Sequence, residues 1–383
     1  MLYRKFGRTG VEVSALGFGC MRLPLAKPDA ALNVDDGDID EPKAAALLHW
    51  AIDHGVNYVD TAYPYHQGNS EAFVGRALQG GYRDKVHLAT KLPSWLITAP
   101  ADMDRYLGEQ LARLQTDRID FYLVHSVNRN FWPTLVNNGL FAFLDAALAD
   151  GRIRHAGFSF HDDLDLFKEV VDAYPWSFCQ IQYNYLDESY QAGKAGLQYA
   201  ADRGLGVAVM EPLRGGRLAA GIPADVGRLW ARGEAKRTPV EWALRYLWDQ
   251  PEVGVVLSGM NDWPQVEENV RVASAVGVGN LSPAERDLIA AVRTAYLAKI
   301  KVHCTGCRYC LPCPSGVNIP VCFSLFNNAH LLDDIATHRI FYNFHVGPAQ
   351  KASNCVECGQ CEQACPQGLP IRALLKETAA LFE

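Results

Sequence analysis

The sequence predicts an α/β protein, a (β/α)8 TIM-type barrel followed by a small helical, cysteine-rich domain. Two observations carry this. Strand-like segments alternate with helix-like runs, and eight such pairs fit within about 290 residues, the count and size of a closed barrel. The cysteines then change in density. Of 11, nine fall between Cys304 and Cys365, and only Cys20 and Cys179 come earlier. That shift marks a boundary near residue 300, dividing a barrel over residues 1–300 from a helical domain over 301–383. The competing architecture is an open doubly wound sheet. It calls for Gly-x-Gly-x-x-Gly after the first strand, and Gly17-Phe-Gly19 stops short of the third glycine.

Taken in order, Leu2–Phe6 and Val11–Val13 flank Arg8-Thr-Gly10 and read as a hairpin. Strand-like segments then end near Gly19, Asp60, Lys91, His125, Ser159, Gln182, Glu211 and Ser258. The helix-like runs that follow them are Pro42–His54, Ser70–Leu78, Ala101–Leu114, Phe141–Ala149, Asp163–Ala173, Gln191–Asp202, Pro239–Trp248 and Trp263–Ala275. Gly55, Gly151, Gly204 and Gly206 supply stops and turns. Asn69-Ser70 is expected to cap the helix that begins at Glu71. Ser282-Pro-Ala-Glu285 has the form of a capping box and opens one further helix to about Lys299. Between the cysteine runs, Val321–Leu332 and Asp334–Tyr342 read as helices. No Ser/Gly-rich linker precedes the cysteine domain, so it is expected to pack on the barrel.

Hydrophobic residues make up 49% of the chain, enough for a large core. No apolar run is long enough to span a membrane, and Met1–Gly7 lacks the apolar stretch of a signal peptide. A net charge of -7 offers no basic field for a phosphate backbone. The expectation is a soluble cytoplasmic protein that engages neither nucleic acid nor membrane. Thiols stay reduced in that compartment, so a dense group of them points to metal ahead of disulfides.

In a barrel, reactive groups sit where strands meet the loops that follow. Asp60, Lys91 and His125 stand at three successive strand ends, and Tyr65 lies in the loop just after the first. A lysine after an apolar strand is costly to bury unless paired, and Asp60 is the available partner. A phenol titrates near 10, so proton exchange by Tyr65 at neutral pH needs a nearby cation. His125 is placed to orient a carbonyl oxygen.

These residues, with Gly17-Phe-Gly19, Asn69-Ser-Glu71, Asp120-Phe-Tyr-Leu-Val-His125, Gly157-Phe-Ser159, Gln182, Glu211-Pro-Leu213 and Glu268-Asn269, closely resemble the aldo-keto reductase family. The pieces recur in order through almost the whole barrel. The resemblance implies a tetrad of Asp60, Tyr65, Lys91 and His125, with NADP or NAD delivering hydride to a small-molecule carbonyl, or removing it from an alcohol. Tyr65 would donate the proton, Lys91 would lower its pKa, Asp60 would hold Lys91, and His125 would position the carbonyl. It also implies nucleotide contacts at Gly19, Ser159, Gln182, Met210, Leu213, Ser258, Gln265, Glu268 and Asn269.

Three departures leave the choice between NADP and NAD open. Phe160 stands where the family has Asn, Met210 aligns with the aromatic that stacks on the nicotinamide, and Gln265 replaces the arginine that clamps a 2′-phosphate. Arg214, Arg217 and Arg271 lie near in sequence, and a solvated surface role is expected for each.

The tail carries Cys304-x-x-Cys307-x-x-Cys310-x-x-Cys313-Pro and Cys355-x-x-Cys358-x-x-Cys361-x-x-x-Cys365-Pro. Three thiolates at two-residue gaps wrap one cubane, while the fourth, set before proline, reaches the other cluster. On that wiring Cys304, Cys307, Cys310 and Cys365 bind one [4Fe–4S] cluster, and Cys355, Cys358, Cys361 and Cys313 the second. The first run has two residues, not three, before its last cysteine. Structural zinc, held by four thiolates at each site, is the alternative. Cys322 is left over as a buried free thiol. Aldo-keto reductases with such a helical ferredoxin-like tail, and with a later Gly-Val-Asn-Ile-Pro as in Gly316–Pro320, form a recognised subgroup.

Two functions follow. One is a carbonyl reductase or alcohol dehydrogenase whose clusters exchange electrons with a redox partner protein. The other is a redox-sensing or electron-transfer partner protein with a nucleotide-binding barrel and structural clusters. No flavin motif is visible in the chain.

Overall fold

The computed structural model describes residues 1–26, 38–331 and 335–383. It resolves into two compact units, Met1–Pro212 with Val240–Leu281, and Leu213–Pro239 with Ser282–Glu383. In the first unit, β1 (Tyr3–Lys5) and β2 (Glu12–Ser14) form the antiparallel hairpin. Eight parallel strands follow: β3 (Leu16–Gly19), β4 (Tyr58–Asp60), β5 (His87–Leu92), β6 (Ile119–Val127), β7 (Ile153–Phe160), β8 (Phe178–Gln182), β9 (Gly206–Met210) and β10 (Val255–Ser258). They close into a barrel in which β10 pairs with both β9 and β3. Every expected strand end falls within two residues of the observed one.

Several strands are buried throughout, as a sheet covered on both faces requires. Near the strand starts the interior is filled by Phe6, Tyr58, Phe121 and Phe178, with contacting ring centroids 5.1 to 5.9 Å apart. Two glycines make room for this packing. Gly7 has φ +55, and a Cβ there would meet the Gly206 nitrogen at 2.1 Å. At Gly157 a Cβ would lie 2.5 Å from the Phe178 ring.

Local sequence sets the helix starts. Asp40, Asp163 and Asp262 each cap a helix by accepting from the backbone N–H three residues on, at 3.0 to 3.2 Å. Asn69-Ser70 departs from expectation. The helix Asn69–Ala77 begins behind Gly68, which supplies no capping side chain. Ser70 is buried, and its hydroxyl contacts Thr61 Oγ1 at 2.8 Å and donates to the Cys20 carbonyl at 3.2 Å. It ties the loop to neighbouring strand ends instead of capping. The short helix Trp132–Asn137, after β6, was not anticipated.

The second unit is helical. Its longer helices are Pro283–Leu297, Ile319–Leu331, Ile335–His345 and Ile371–Phe382. The Ser282 capping box forms as expected, at 3.3 and 2.8 Å. The expected ends at Leu332 and Asp334 lie outside the described residues. Ile319, Phe323, Phe326, Ile371, Leu375 and Phe382 belong to the core, where Tyr342 stacks on Phe382 at 4.8 Å. The segment Leu213–Pro239 joins this unit through Arg237–Glu285 at 2.6 Å and Asp225–Lys299 at 3.6 Å. Among the described residues no helix is long and apolar enough to cross a membrane.

Candidate active site and cysteine centre

Within the barrel unit, Asp60, Lys91 and His125 lie at or near the C-terminal ends of β4, β5 and β6, as expected. The Lys91 ammonium meets Asp60 Oδ1 at 2.7 Å, Asp60 Oδ2 at 2.8 Å and the Thr61 carbonyl at 2.7 Å. Lys91 is fully buried and Asp60 nearly so. Burial pulls the lysine below its usual range and pushes the carboxyl above its own, while the contact between them opposes both shifts. Three acceptors around one nitrogen use all three N–H bonds of an ammonium, so the pair is ionised.

Tyr65 is half-buried in the loop after β4, with the Lys91 nitrogen 5.1 Å from its ring centroid. The His125 ring stands edge-on to it, centroids 6.2 Å apart. All four candidate residues are therefore brought together. His125 owes its position to an irregularity in β6. The register pairs Val124 with Phe158 and Val127 with Phe160, so His125 and Ser126 together oppose Ser159. Ser126 has φ +54, and its N–H donates to Ser159 Oγ at 2.8 Å. Such a bulge turns a side chain out of the regular alternation. Burial, then Lys91 and His161, hold His125 well below the usual imidazole range, so it is neutral at pH 7. Trp95 lies 5.2 Å from His125, ring to ring. In the same loop as Tyr65, His66 accepts from the Leu23 N–H at 3.1 Å, and burial lowers it to about 4.

A second polar network lies behind Lys91. Glu71 is fully buried and accepts from Thr90 Oγ1 at 2.7 Å, Gln110 Nε2 at 2.6 Å and Arg113 at 3.3 Å. Gln110 also donates to the Lys91 carbonyl at 2.9 Å and accepts from the Tyr122 hydroxyl at 2.8 Å. Sequence reasoning missed Gln110 and Thr61, and had Glu71 only as part of a motif. A buried Gln inside the helix Pro100–Leu114 was the available signal.

The candidate nucleotide positions are distributed along the strand ends. Gly19 pairs with Asp60, and a Cβ on it would meet the Ser258 carbonyl at 3.3 Å. Ser258 accepts from Asn269 Nδ2 at 3.0 Å. Met210 accepts from Gln180 at 3.4 Å, and Gln182 donates to Asp187 at 2.9 Å. Gln265 spends its side-chain oxygen on the Asn261 N–H at 3.0 Å, and Glu268 faces Arg271 at 3.9 Å. Phe160 is buried against Phe158 and Phe167, with none of the polar reach of the Asn it replaces. Leu213 belongs to the second unit. Arg271 is solvated as expected, its side chain 60% exposed. Arg214 is not, being 2% exposed.

In the second unit, Cys304, Cys307, Cys310 and Cys365 line one pocket, partly open to solvent. Burial and the neighbouring Cys307, Cys304 and Cys365 push the Cys310 thiol up. Cys361 is pushed up to about 11 by burial, Glu362, Cys355 and Cys313. The last cysteine of each run thus stands with the thiols of the other. Among the described residues, no three His, Cys, Asp or Glu converge closely enough to hold one bare ion. Four thiols lining one pocket have the donor chemistry of an iron–sulfur cluster site. Cys322 is a buried free thiol, 3.7 Å from the Tyr342 hydroxyl.

Residues 15–278 match the model of the aldo/keto reductase family, and residues 303–369 match that of the 4Fe-4S dicluster domain. The chain is 31% identical over 241 residues to the Bacillus subtilis (strain 168) protein named uncharacterized oxidoreductase YrpG, covering 57% of this chain and 68% of that one. It is 27% identical over 303 residues to the uncharacterized oxidoreductase YqkF of the same organism, covering 72% and 92%. Among solved structures, the aldo-keto reductase AKR11C1 from Bacillus halodurans in its holo form superposes with a TM-score of 0.63 at 27% identity, over 76% of this chain and 96% of that one. With the barrel, its strand-end residues and both family matches in agreement, the chain belongs to the aldo/keto reductase family of oxidoreductases and carries a C-terminal 4Fe-4S dicluster domain.

Proposed function

We propose that the barrel interconverts a small-molecule carbonyl and its alcohol with a nicotinamide cofactor, through Asp60, Tyr65, Lys91 and His125. The observation that carries the reading is the buried Asp60–Lys91 ion pair set beside the Tyr65 ring. When bound, the nicotinamide supplies or takes the hydride, and iron–sulfur clusters supply one-electron steps. The chain's residues do the rest. In reduction, the Tyr65 phenol gives its proton to the carbonyl oxygen, and the adjacent ammonium favours the phenolate left behind. Asp60 and the Thr61 carbonyl fix that ammonium in place. His125, kept neutral, orients the carbonyl oxygen without adding charge. Solvent reprotonates Tyr65. Burial of the pair keeps its field strong by excluding water.

The nucleotide is expected to bind along Gly19, Ser159, Gln182, Met210, Leu213, Ser258, Gln265, Glu268 and Asn269, with little preference between NADP and NAD. Gln265 has its side-chain oxygen on the Asn261 N–H and offers a 2′-phosphate no charge. In the tail, Cys304, Cys307, Cys310 and Cys365 hold one [4Fe–4S] cluster, and Cys313, Cys355, Cys358 and Cys361 the other. Both serve electron exchange with a redox partner. A cytoplasmic setting would keep these thiols reduced and available to iron.

The test is turnover of NADH and NADPH with a panel of aldehydes and quinones by the anaerobically purified full chain. Tyr65→Phe and Lys91→Met should each lower kcat by roughly 10²–10⁴. Undiminished turnover in both variants removes the tetrad reading. No turnover by the wild type, with nucleotide still bound, favours the redox-sensing protein instead. Iron and sulfide should each be about eight per chain for two cubanes.

A further inference from the structure

The segment that leaves β9, Leu213–Pro239, is built into the cysteine unit. There it brings two arginines to the residues that open the first cysteine run. Arg214 is 2% exposed, and its Nη2 lies 2.7 Å from His303 Nδ1. Arg217 donates through Nη1 to the Cys304 carbonyl. Cys304 lines the cavity it shares with Cys307, Cys310 and Cys365, and Arg308 lines it as well. These contacts bridge 89 and 87 residues of sequence, so tertiary structure makes them. Arg214 holds φ +51, a left-handed conformation that a branched or long side chain adopts only where its surroundings enforce it. Asn327 also fixes this stretch. It accepts from the Val302 N–H at 2.9 Å and donates to the Val302 carbonyl at 2.6 Å.

Burying a guanidinium is unfavourable unless negative charge offsets it, and burying an anionic cluster is unfavourable unless positive charge does. A cluster held by four thiolates is an anion, and one-electron reduction adds a further negative charge to it. Burial alone therefore disfavours the reduced form and lowers the potential. Fixed cations beside the ligands act the other way, because they stabilise the extra charge more than the charge already present.

We propose that Arg214 and Arg217 raise the reduction potential of the cluster at Cys304, Cys307, Cys310 and Cys365, keeping it reducible. This rests on the reading that those thiolates hold a cluster. The step is the uptake of one electron from an external low-potential donor such as dithionite, with no bond made or broken. The second cysteine group has a different neighbourhood. Cys358 is exposed and Cys361 feels Glu362, a carboxylate that is itself paired with Arg372 at 2.8 Å. The effect of the two arginines should therefore be confined to one cluster.

The experiment is a dithionite titration of the full chain, followed by EPR and visible absorbance, on the wild type, Arg217→Gln, Arg214→Gln and Arg217→Lys. Iron and sulfide are counted on every sample. Each glutamine variant should weaken reduction of one cluster by roughly tenfold, a fall of about 59 mV for one electron, with the other wave unmoved. Arg217→Lys keeps the charge and should lie close to the wild type. Waves that stay in place in both glutamine variants at full iron content overturn the proposal, and so does an equal shift of both waves. Loss of iron from both glutamine variants while Arg217→Lys keeps its own leaves a structural role alone and also overturns it. A wild type that holds no cubane iron fails the ligand reading instead, and the iron count shows which has failed.

Discussion

Replacing Asp60 by asparagine keeps the shape of the side chain and removes its charge, leaving Lys91 in the barrel interior. The ammonium loses the carboxylate that supplies two of its three contacts, and keeps the Thr61 carbonyl and one amide oxygen. Breaking a buried pair from one side costs about 3–5 kcal/mol, mostly through the uncompensated charge. With a urea dependence of about 3 kcal/mol per molar for a unit of this size, the unfolding midpoint should fall by about 1–1.7 M. Seven of the eight tryptophans, all but Trp230, lie in the barrel unit, so tryptophan fluorescence follows that unit in the full chain. Removing both charges in Asp60→Asn/Lys91→Met should recover most of the loss, giving a coupling of several kcal/mol in the double-mutant cycle. A single-variant midpoint within about 0.3 M of the wild type, or additive single costs, would refute the claim that Lys91 is a buried ammonium held by Asp60.

Other expectations come from the surroundings of the pair. Glu71→Leu strands the Thr90 hydroxyl and the Gln110 amide and should cost about 1–3 kcal/mol, read as a lower urea midpoint. An unchanged midpoint would mean the network is not held by its carboxylate. His66 and His161 are lowered to about 4 by burial, against an ordinary 6.5. The folded state then binds fewer protons than the unfolded one between those values. The stability from both histidines is complete above pH 6.5 and falls as the pH drops toward 4, by up to about 1.4 kcal/mol per unit for each. Urea midpoints between about pH 7.5 and 5 should show that slope, and His161→Asn should flatten it; an unaltered slope would remove His161 from the account. Gln265→Arg should raise NADPH over NADH affinity about tenfold, or about 1.4 kcal/mol, in paired dissociation constants. A constant ratio would show that a 2′-phosphate is not read from this helix.

The barrel was legible because alternation, strand-end residues and capping aspartates are local signals, and each strand end lay within two residues of its expected place. The four candidate residues at the barrel's strand ends were legible for the same reason. Asp60, Lys91 and His125 are unusual residues to find at the ends of apolar strands. What escaped was whatever depends on atoms brought together from afar. The Thr61 carbonyl is invisible in a sequence because every residue has one, and the bulge at His125–Ser126 exists only relative to β7. Ser70 has the chemistry of a cap, but Thr61 and Cys20 claim its hydroxyl. Arg214 and Arg217 read as solvated because their partners lie almost ninety residues ahead. The grouping of the cysteines was written in their spacing, since two-residue gaps allow three thiols to face one point and direct the fourth elsewhere.

The discontinuity of the cysteine unit sets a schedule for biogenesis. Pro239 leaves the ribosome 126 residues before Cys365, the last of the clustered thiols. At about 5–20 residues per second, that interval lasts roughly 6–25 s. Through it, the nascent barrel can close its strands while the stretch after β9 waits, Asp225 of its helix Ala224–Trp230 without Lys299 and Arg237 without Glu285. Iron delivery and the final docking of that stretch thus fall late and close together. Shearing the tail away at Leu281 would not release a tidy barrel. It would strand 27 residues that belong to the compact unit removed with it.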